Sequence, residues 1–401
     1  MRAGPALEVD RLLDDPRTRI IVCCGSGGVG KTTTAAALGL RAAERGRHVV
    51  VLTVDPARRL AQSMGLSSLD NTPRPVPGAG AEAAGGSLHA MMLDMKRTFD
   101  EIVEAHSDPD RAEQILANPF YQSLSSSFAG TQEYMAMEKL GQLRQSDEWD
   151  LIVVDTPPSR SALDFLDAPQ RLGRFLDGRL IRLLSAPTRV GGRAYLRVVT
   201  AGFSMLTGVI TKVIGTQVLR DVQTFVAAFD TMFGGFRQRA EDTYRLLQAP
   251  GTAFLVIATP EPDALREASY FVERLSQDRM PLAGLIVNRV HRSPAAQLSA
   301  ARSLAAAETL ESAPTATLAR PDARSNAGAT AASARYPLAS TALRLHAERM
   351  QLGERERRLE EHFTAAHPVI PVVEVPAQPE DVHDLDGLRA IGVELARAAD
   401  D

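Results

Sequence analysis

The chain has 401 residues, of which 44% are hydrophobic and 23% charged, a composition typical of a globular protein with a sizeable core. Its formal net charge of −4 differs from the basic balance of most nucleic-acid-binding proteins, so we expect no nucleic-acid partner. Residues 1–19 lack the apolar core of a signal peptide, and no run approaches the about 20 apolar residues that span a bilayer, so we expect a cytoplasmic protein.

Short apolar runs alternate with longer helical patterns along the chain. This alternation predicts an α/β fold with a mainly parallel sheet of about seven strands flanked by helices. Several runs are uniformly apolar, as expected for strands that are covered on both faces. The predicted strands are Arg19–Cys24, His48–Val54, Leu88–Asp94, Leu151–Asp155, Ala253–Thr259, Leu282–Asn288 and Val369–Val375.

Two long stretches, 98–145 and 163–248, contain only helical patterns and glycine-marked breaks. Because this is more helix than one crossover needs, it predicts a helical subdomain inserted into the sheet domain. A third stretch, 312–339, is rich in alanine, serine, threonine, proline and glycine, and we expect a loose loop there. The sheet domain then comprises residues 1–97, 146–162 and 249–401.

The segment from Gly25 to Thr32 fits the pattern G-x-x-x-x-G-K-[ST], directly after the first predicted strand and before an alanine-rich helix. Glycines let backbone N–H groups turn inward around phosphates, and the helix N-terminus adds partial positive charge. Lys31 would reach the β- and γ-phosphates, and the Thr32 hydroxyl would hold Mg²⁺. The predicted nucleotide-binding residues here are Gly25, Ser26, Gly27, Gly28, Val29, Gly30, Lys31, Thr32 and Thr33.

Two other predicted strands end near a carboxylate. Asp155 closes the fourth strand, where an aspartate holds Mg²⁺ in P-loop proteins, and the stiff turn Thr156–Pro158 follows, where a γ-phosphate sensor would lie. Asp55 follows the second strand and could orient the attacking water or accept its proton. We therefore predict catalytic roles for Lys31, Asp55 and Asp155, and a metal site formed by Thr32, Asp55 and Asp155.

The base is predicted to be adenine. Guanine-specific P-loop proteins carry an Asn-Lys-x-Asp segment after a late strand, and this sequence has none. Asn288 ends the sixth predicted strand, and its amide could bond an adenine edge or simply cap the strand end. We therefore expect ATP and Mg²⁺ as the cofactors.

Together these segments resemble the ArsA-type ATPases, a family that includes arsenite-pump energisers and the ATPase that escorts tail-anchored membrane proteins. The resemblance covers nearly the whole chain. It is strongest in the segments Gly25–Thr32, Asp55–Ala57, Gly130–Glu133 and Asp155–Pro158. It implies that Asn288, Val375 and Pro376 lie where the family binds adenine. It also implies that Glu261 lies near the ribose across a dimer.

Within that family, the chain resembles most the actinobacterial ArsA-related ATPases, through the stretches Asp55–Gln62 and Gly130–Glu138. Such proteins often occur as two paralogues that assemble together. The resemblance implies a dimer with two ATP molecules facing each other, and the family's signature lysine reaches the partner's ATP. Here Ser26 stands at that position, and serine supplies no positive charge to the transition state. We therefore expect slow or partner-dependent hydrolysis, by a homodimer or by a heterodimer with a lysine-bearing paralogue.

Other family features are missing or ambiguous. The only cysteines are the adjacent Cys23 and Cys24, so there is no Cys-x-x-Cys pair for zinc, and we expect neither structural zinc nor arsenite sensing. The apolar stretch Tyr195–Phe236 indicates core or dimer contact first, and a groove for a hydrophobic protein client or membrane protein as the alternative.

Three other functions compete with an ATPase switch. A regulatory subunit that binds nucleotide with little hydrolysis is favoured by Ser26. A partitioning or division ATPase would need a DNA-binding surface or a basic membrane helix, whereas this chain ends with acidic residues. A small-molecule kinase fits less well with the paired aspartates Asp55 and Asp155.

Overall fold

The computed structural model describes residues 4–54, 59–79, 85–119, 121–122, 125, 132–157, 238–312 and 326–397. For residues 59, 132–134 and 326–336 it describes the backbone alone. Most of the stretch 163–248, and with it Tyr195–Phe236, therefore lies outside the described residues. The division into a sheet domain and a helical subdomain stays a prediction.

The described part of the chain forms one sheet with helices along it. The strands are β1 Ile20–Cys24, β2 His48–Thr53, β3 Arg74–Pro75, β4 Ser87–Met92, β5 Leu151–Asp155, β6 Thr252–Ala258, β7 Leu282–Val290 and β8 Val372–Pro376. The labelled helices are α1 Val9–Asp14, α2 Lys31–Glu44, α3 Arg59–Ser63, α4 Met95–His106, α5 Pro109–Leu116, α6 Gln132–Gln145, α7 Pro262–Gln277, α8 Ala300–Ser312, α9 Asn326–Ala366 and α10 Leu385–Arg397. Residues 238–248 are also helical.

The strand order across the sheet is β3-β4-β2-β5-β1-β6-β7-β8, and every neighbouring pair except β3–β4 is parallel. This confirms the α/β class and all seven predicted strands. The eighth strand, β3, was missed because it has two residues, one of them a proline at the sheet edge. The last strand begins at Val372 and not at Val369, since Ile370 N–H donates to the His367 carbonyl in a turn.

The centre of the sheet is buried on both faces, because every residue of β1, β5 and β6 is buried. Helix α2 packs closely on β2 at Gly39, where an added Cβ would overlap the Val51 side chain. The helix ends just before Gly46, whose φ of 97° is the left-handed conformation predicted for its cap. The core therefore holds α2, and the loop before it, in a fixed position over the sheet.

Two helical predictions are refined by the structure. The stretch 98–145 was expected to be helical, and its described residues include three helices, α4, α5 and α6. The stretch 312–339 was expected to be a loose loop, but helix α9 already begins at Asn326. The alanines of 326–336 explain the difference, because alanine is the strongest helix former, whatever the polarity around it.

Helix α1 is joined to α2 by ion pairs. Asp10 accepts hydrogen bonds from Arg41 Nε at 2.5 Å and Arg41 Nη2 at 2.7 Å, and Arg45 lies 3.3 Å from its second oxygen. The hydrogen bonds from Arg41 are the main reason why the pKa of Asp10 lies below its ordinary value. The pair is only partly exposed, so it contributes more than a fully solvated ion pair would.

We predict that Asp10→Asn lowers the free energy of unfolding by about 1 kcal/mol near about pH 7. A lowered pKa in the folded state means that the stabilisation is present above the unfolded pKa of about 3.9 and is lost as the pH falls through the lowered value. Urea unfolding of the unmodified chain and of Asp10→Asn, at about pH 7 and at about pH 3, measures the loss of unfolding free energy at each pH. Asp386→Asn is the control for an exposed ion pair, because Asp386 pairs with Arg389 but is 90% exposed, so its loss should change stability little at either pH. An equal loss of stability at both pH values would contradict the assignment.

Candidate functional site

The glycine-rich segment forms a loop between β1 and α2, at the carboxyl edge of the sheet. Gly25, Gly28 and Gly30 have φ values of 153°, 80° and 94°. These conformations are strained for any residue with a Cβ. A Cβ at Gly25 would also overlap the Ile257 carbonyl on β6. Sterics thus require glycine at these positions, as the sequence pattern predicts for a phosphate-binding loop.

Lys31 begins helix α2 and is 6% exposed. Its Nζ donates a hydrogen bond to the Ser26 carbonyl at 2.9 Å, so the side chain folds back along the loop. The ammonium group therefore lies inside the curve of the loop. An ammonium group in this position can neutralise the charge of bound phosphates.

Asp155 is completely buried at the end of β5. Its Oδ2 accepts a hydrogen bond from Thr32 Oγ1 at 2.7 Å and from Thr53 Oγ1 at 3.0 Å. The three residues come from α2, β2 and β5, and Thr53 lies directly opposite Asp155 in the register of β2 and β5. The structure thus brings together Thr32 and Asp155, as the sequence predicts.

Thr53 is a site residue that the sequence reasoning missed. The signal was a polar residue at the end of the apolar strand His48–Thr53, two positions before Asp55. Asp55 itself lies outside the described residues, as do Pro158, Gly130 and Thr131. Their predicted roles therefore stay predictions.

The donor set around Asp155 fits Mg²⁺. Hydroxyl and carboxylate oxygens are hard ligands, and Mg²⁺ is usually bound by one or two protein groups together with phosphate oxygens and water. Because Thr32 Oγ1 donates its proton to Asp155, its lone pairs can face a metal ion. Among the residues that the structure describes, no group of three or more histidine, cysteine or acidic side chains could form a metal centre by itself.

The residues assigned to the base lie along the ends of β7 and β8. Asn288 pairs with Val375, and Val290 pairs with Pro376. The Asn288 amide is buried, and its Nδ2 donates to the Val29 carbonyl of the glycine loop at 2.8 Å. The structure therefore brings Asn288 against the phosphate loop and places Val375 next to it.

Glu261 lies at the start of helix α7, at the carboxyl edge of β6. Its backbone N–H donates to the Thr259 carbonyl at 2.7 Å, and its side chain is exposed and makes no capping hydrogen bond to the helix. It thus lies on the same edge of the sheet as the glycine loop.

Cys23 and Cys24 end β1 and are fully buried below the loop. Burial raises the pKa of the Cys24 thiol to about 12, and burial raises that of Cys23 well above its ordinary value. The Thr156 hydroxyl donates to the Cys23 carbonyl at 2.8 Å, which ties the turn after β5 to β1. The cysteines therefore support the site through packing and their backbone.

A phosphate cradle of this geometry, between a central parallel strand and the helix that follows it, is that of a P-loop NTPase. Comparison with known protein families shows to which family of P-loop NTPases the chain belongs. The sequence pattern of the anion-transporting ATPase family, ArsA_ATPase, matches residues 18–313, and the chain belongs to this family.

Sequence similarity to individual ATPases is consistent with this family assignment. The chain is 31% identical to the ATPase GET3 of Malassezia globosa over 170 residues, which are 42% of this chain and 47% of that protein. It is 25% identical to the ATPase ASNA1 homolog of Cryptosporidium parvum over 266 residues, 66% of this chain and 63% of that protein. It is 23% identical to the ATPase get3 of Schizosaccharomyces japonicus over 289 residues, 71% of this chain and 79% of that protein. The chain thus spans about half of the first relative and less than two-thirds of the second. Within the described ranges, no helix combines the length and apolar character that crossing a bilayer requires.

We predict that Cys23 and Cys24 do not react with a thiol reagent in the native state at about pH 8, because burial keeps both thiols protonated and out of reach. Ellman's reagent should give almost no signal in buffer and two thiols per chain in denaturant. Rapid labelling of the native protein would contradict the buried position of β1.

Proposed function

We propose that this chain is a dimeric, Mg²⁺-dependent ATPase switch, in which the ATP state controls binding of a protein client or a membrane partner. The observation that supports it most is the contact of 2.7 Å between Thr32 Oγ1 and Asp155 Oδ2, beside the buried Lys31. A threonine and a carboxylate held together at the first turn of this helix are what a Mg²⁺-nucleotide site needs.

In this proposal the chain's own groups act on the phosphates and on water. The Lys31 ammonium stabilises the charge on the β- and γ-phosphate oxygens, and the loop N–H groups donate to them. Asp155 keeps the Thr32 hydroxyl oriented towards the metal. Bound Mg²⁺ would supply electrostatic stabilisation of the transferring phosphoryl group. Asp55 would orient the attacking water or accept its proton.

Adenine would lie at the carboxyl ends of β7 and β8, beside Asn288, Val375 and Pro376. In the sheet, β6 follows β1, β7 follows β6 and β8 follows β7. The ends of β7 and β8 therefore lie on the same edge of the sheet as the glycine loop, which begins at the end of β1. In a dimer, the exposed Glu261 would reach the ribose bound by the other subunit. Thr33, in the first turn of α2, would contribute to the phosphate end of the site.

Ser26 limits the chemistry of this site. Its carbonyl accepts the Lys31 hydrogen bond, and its side chain brings no cation to the loop. A cation supplied from a partner subunit can be worth about 10³ to 10⁵ in the rate of phosphoryl transfer. A homodimer would lack this group at both sites. In a heterodimer, the ATP bound by this chain would receive the lysine of its paralogue.

The same residue favours a second candidate function. A subunit with an intact Lys31, Thr32 and Asp155 can bind nucleotide, while the absence of a lysine at Ser26 deprives its partner's ATP of a cation. Such a chain would be a regulatory subunit that hardly hydrolyses ATP by itself and supports a lysine-bearing paralogue. The two candidates differ in turnover by the pure chain.

A cavity in the helical region is a candidate contact surface for the client. Helices α4 and α5 form an open cavity of about 630 Å³ with a mainly apolar lining. The lining residues are Glu104, Pro109, Ala112, Glu113, Leu116 and Ala117. In this proposal the cavity would be one point of contact for a hydrophobic segment of a client or membrane protein.

We predict that the pure chain hydrolyses ATP slowly, and that Ser26→Lys raises the rate at least about tenfold because it restores a transition-state cation. Mixing the chain with a lysine-bearing paralogue should have a similar effect. Steady-state phosphate release measures both. Rapid hydrolysis by the unmodified pure chain would overturn the proposed role of Ser26.

The control for this experiment is Ser276→Lys. Ser276 is exposed near the end of α7, at the opposite edge of the sheet from the loop, so a lysine there adds the same charge far from the phosphates. Its turnover should equal that of the unmodified chain. If the chain binds ATP tightly and neither Ser26→Lys nor Ser276→Lys changes its low turnover, the result would favour the role of a regulatory subunit.

A further inference from the structure

The side-chain amide of Asn288 lies between two backbone segments. Its Nδ2 donates to the Val29 carbonyl at 2.8 Å, and its Oδ1 accepts from the Arg289 N–H at 3.0 Å. The residue is 8% exposed. Both ends of the amide are thus used to connect the end of β7 with the glycine loop.

The backbone at Arg289 fixes which way this amide points. Arg289 has a φ of 63°, and the register with β8 shifts between Asn288 and Val290. A left-handed conformation is unfavourable for arginine, and such strain is typical of functional sites. Because the Val29 carbonyl can only accept a hydrogen bond, the amide nitrogen faces Val29, and the amide oxygen faces the Arg289 N–H.

The Val29 carbonyl in turn fixes the next N–H of the loop. The described peptide bonds are trans, and in a planar trans peptide the carbonyl of one residue and the N–H of the next point in opposite directions. With the Val29 carbonyl turned towards Asn288, the Gly30 N–H faces the other side of the loop. That side is where loop N–H groups meet phosphates.

Gly30 shows how tightly the two segments fit. A Cβ on this residue would overlap the Asn288 amide nitrogen, so the amide lies directly against the loop backbone. Movement of the amide would therefore move the Val29–Gly30 peptide.

We propose that Asn288 is a positioning residue for the phosphate loop, which acts through the Val29–Gly30 peptide. This inference rests on the proposal that the loop binds nucleotide phosphates. Asn288 then contributes to the affinity for any ligand with a polyphosphate chain, whatever its base.

Tripolyphosphate tests this inference because it has no base. The quantities to measure are the dissociation constants of Mg²⁺-ATP, Mg²⁺-GTP and Mg²⁺-tripolyphosphate, for the full chain and for Asn288→Ala. Tripolyphosphate binding is measured by competition with a fluorescent ATP analogue. The inference predicts that the variant binds all three about tenfold more weakly, tripolyphosphate included. A loss for ATP with no loss for tripolyphosphate would overturn it and assign Asn288 to the base.

A second variant covers the case in which Asn288→Ala does not fold. Asn288→Asp keeps the shape and the acceptor for Arg289 but places an oxygen opposite the Val29 carbonyl. It should lose at least as much tripolyphosphate affinity as the alanine variant. Unchanged tripolyphosphate affinity in Asn288→Asp would also overturn the inference.

Asn71→Ala is the matched control for the loss of a buried asparagine. Asn71 is 4% exposed and bonds Glu101, Asp94 and Thr98 away from the loop. This variant should unfold at a lower temperature and bind tripolyphosphate normally, so a general loss of stability is distinguished from a loop effect. If the unmodified chain binds neither ATP nor tripolyphosphate, the proposed function itself fails.

Discussion

The buried carboxylate of Asp155 is the constraint on which the rest of the site depends. A carboxylate with no solvent contact is costly unless hydrogen bonds replace its water shell. Thr32 and Thr53 supply two such bonds, both to Oδ2, from α2 and β2, while the aspartate itself ends β5. The central strands and the first helix turn are thus fixed relative to one another by one group. The glycine loop, which ends where that helix begins, takes its position from the same contact.

The loop is constrained equally from the other side. Gly25 lies against the backbone of β6, and Gly30 lies against Asn288 at the end of β7. Strands on both sides of β1 therefore shape the cradle. Because all of these strands are parallel, their carboxyl ends meet at one edge, where Lys31, Thr32 and Asp155 also lie. The fold thus gathers the loop backbone, a buried cation and the oxygens of Thr32 and Asp155 in one place.

Patterns that are local in sequence were sufficient for much of this arrangement. Uniformly apolar runs predicted the seven longer strands, and the spacing of Gly25, Gly30, Lys31 and Thr32 predicted the loop. The features that the sequence did not predict depend on contacts between segments that are distant along the chain. Thr53 became a site residue through its register with Asp155. Asn288 was predicted as a site residue, but its contact with the Val29 carbonyl was not, because it depends on a register shift and a left-handed residue at Arg289. Composition also failed at Asn326, where helix propensity outweighed polarity. Asp55 and the larger part of the helical region stay predictions.

Calorimetric titration of ATP, with Mg²⁺ and with EDTA, tests the central claim most directly. Wild-type protein should bind ATP at least about tenfold more tightly with Mg²⁺, since Thr32 and Asp155 hold the metal against the phosphates. Asp155→Asn should remove this difference and keep the affinity measured in EDTA, because the amide oxygen can still accept from Thr32 and Thr53, so that Lys31 and the loop N–H groups stay in place. An Asp155→Asn variant with undiminished Mg²⁺ dependence, or a wild-type protein that does not bind ATP, would contradict the account.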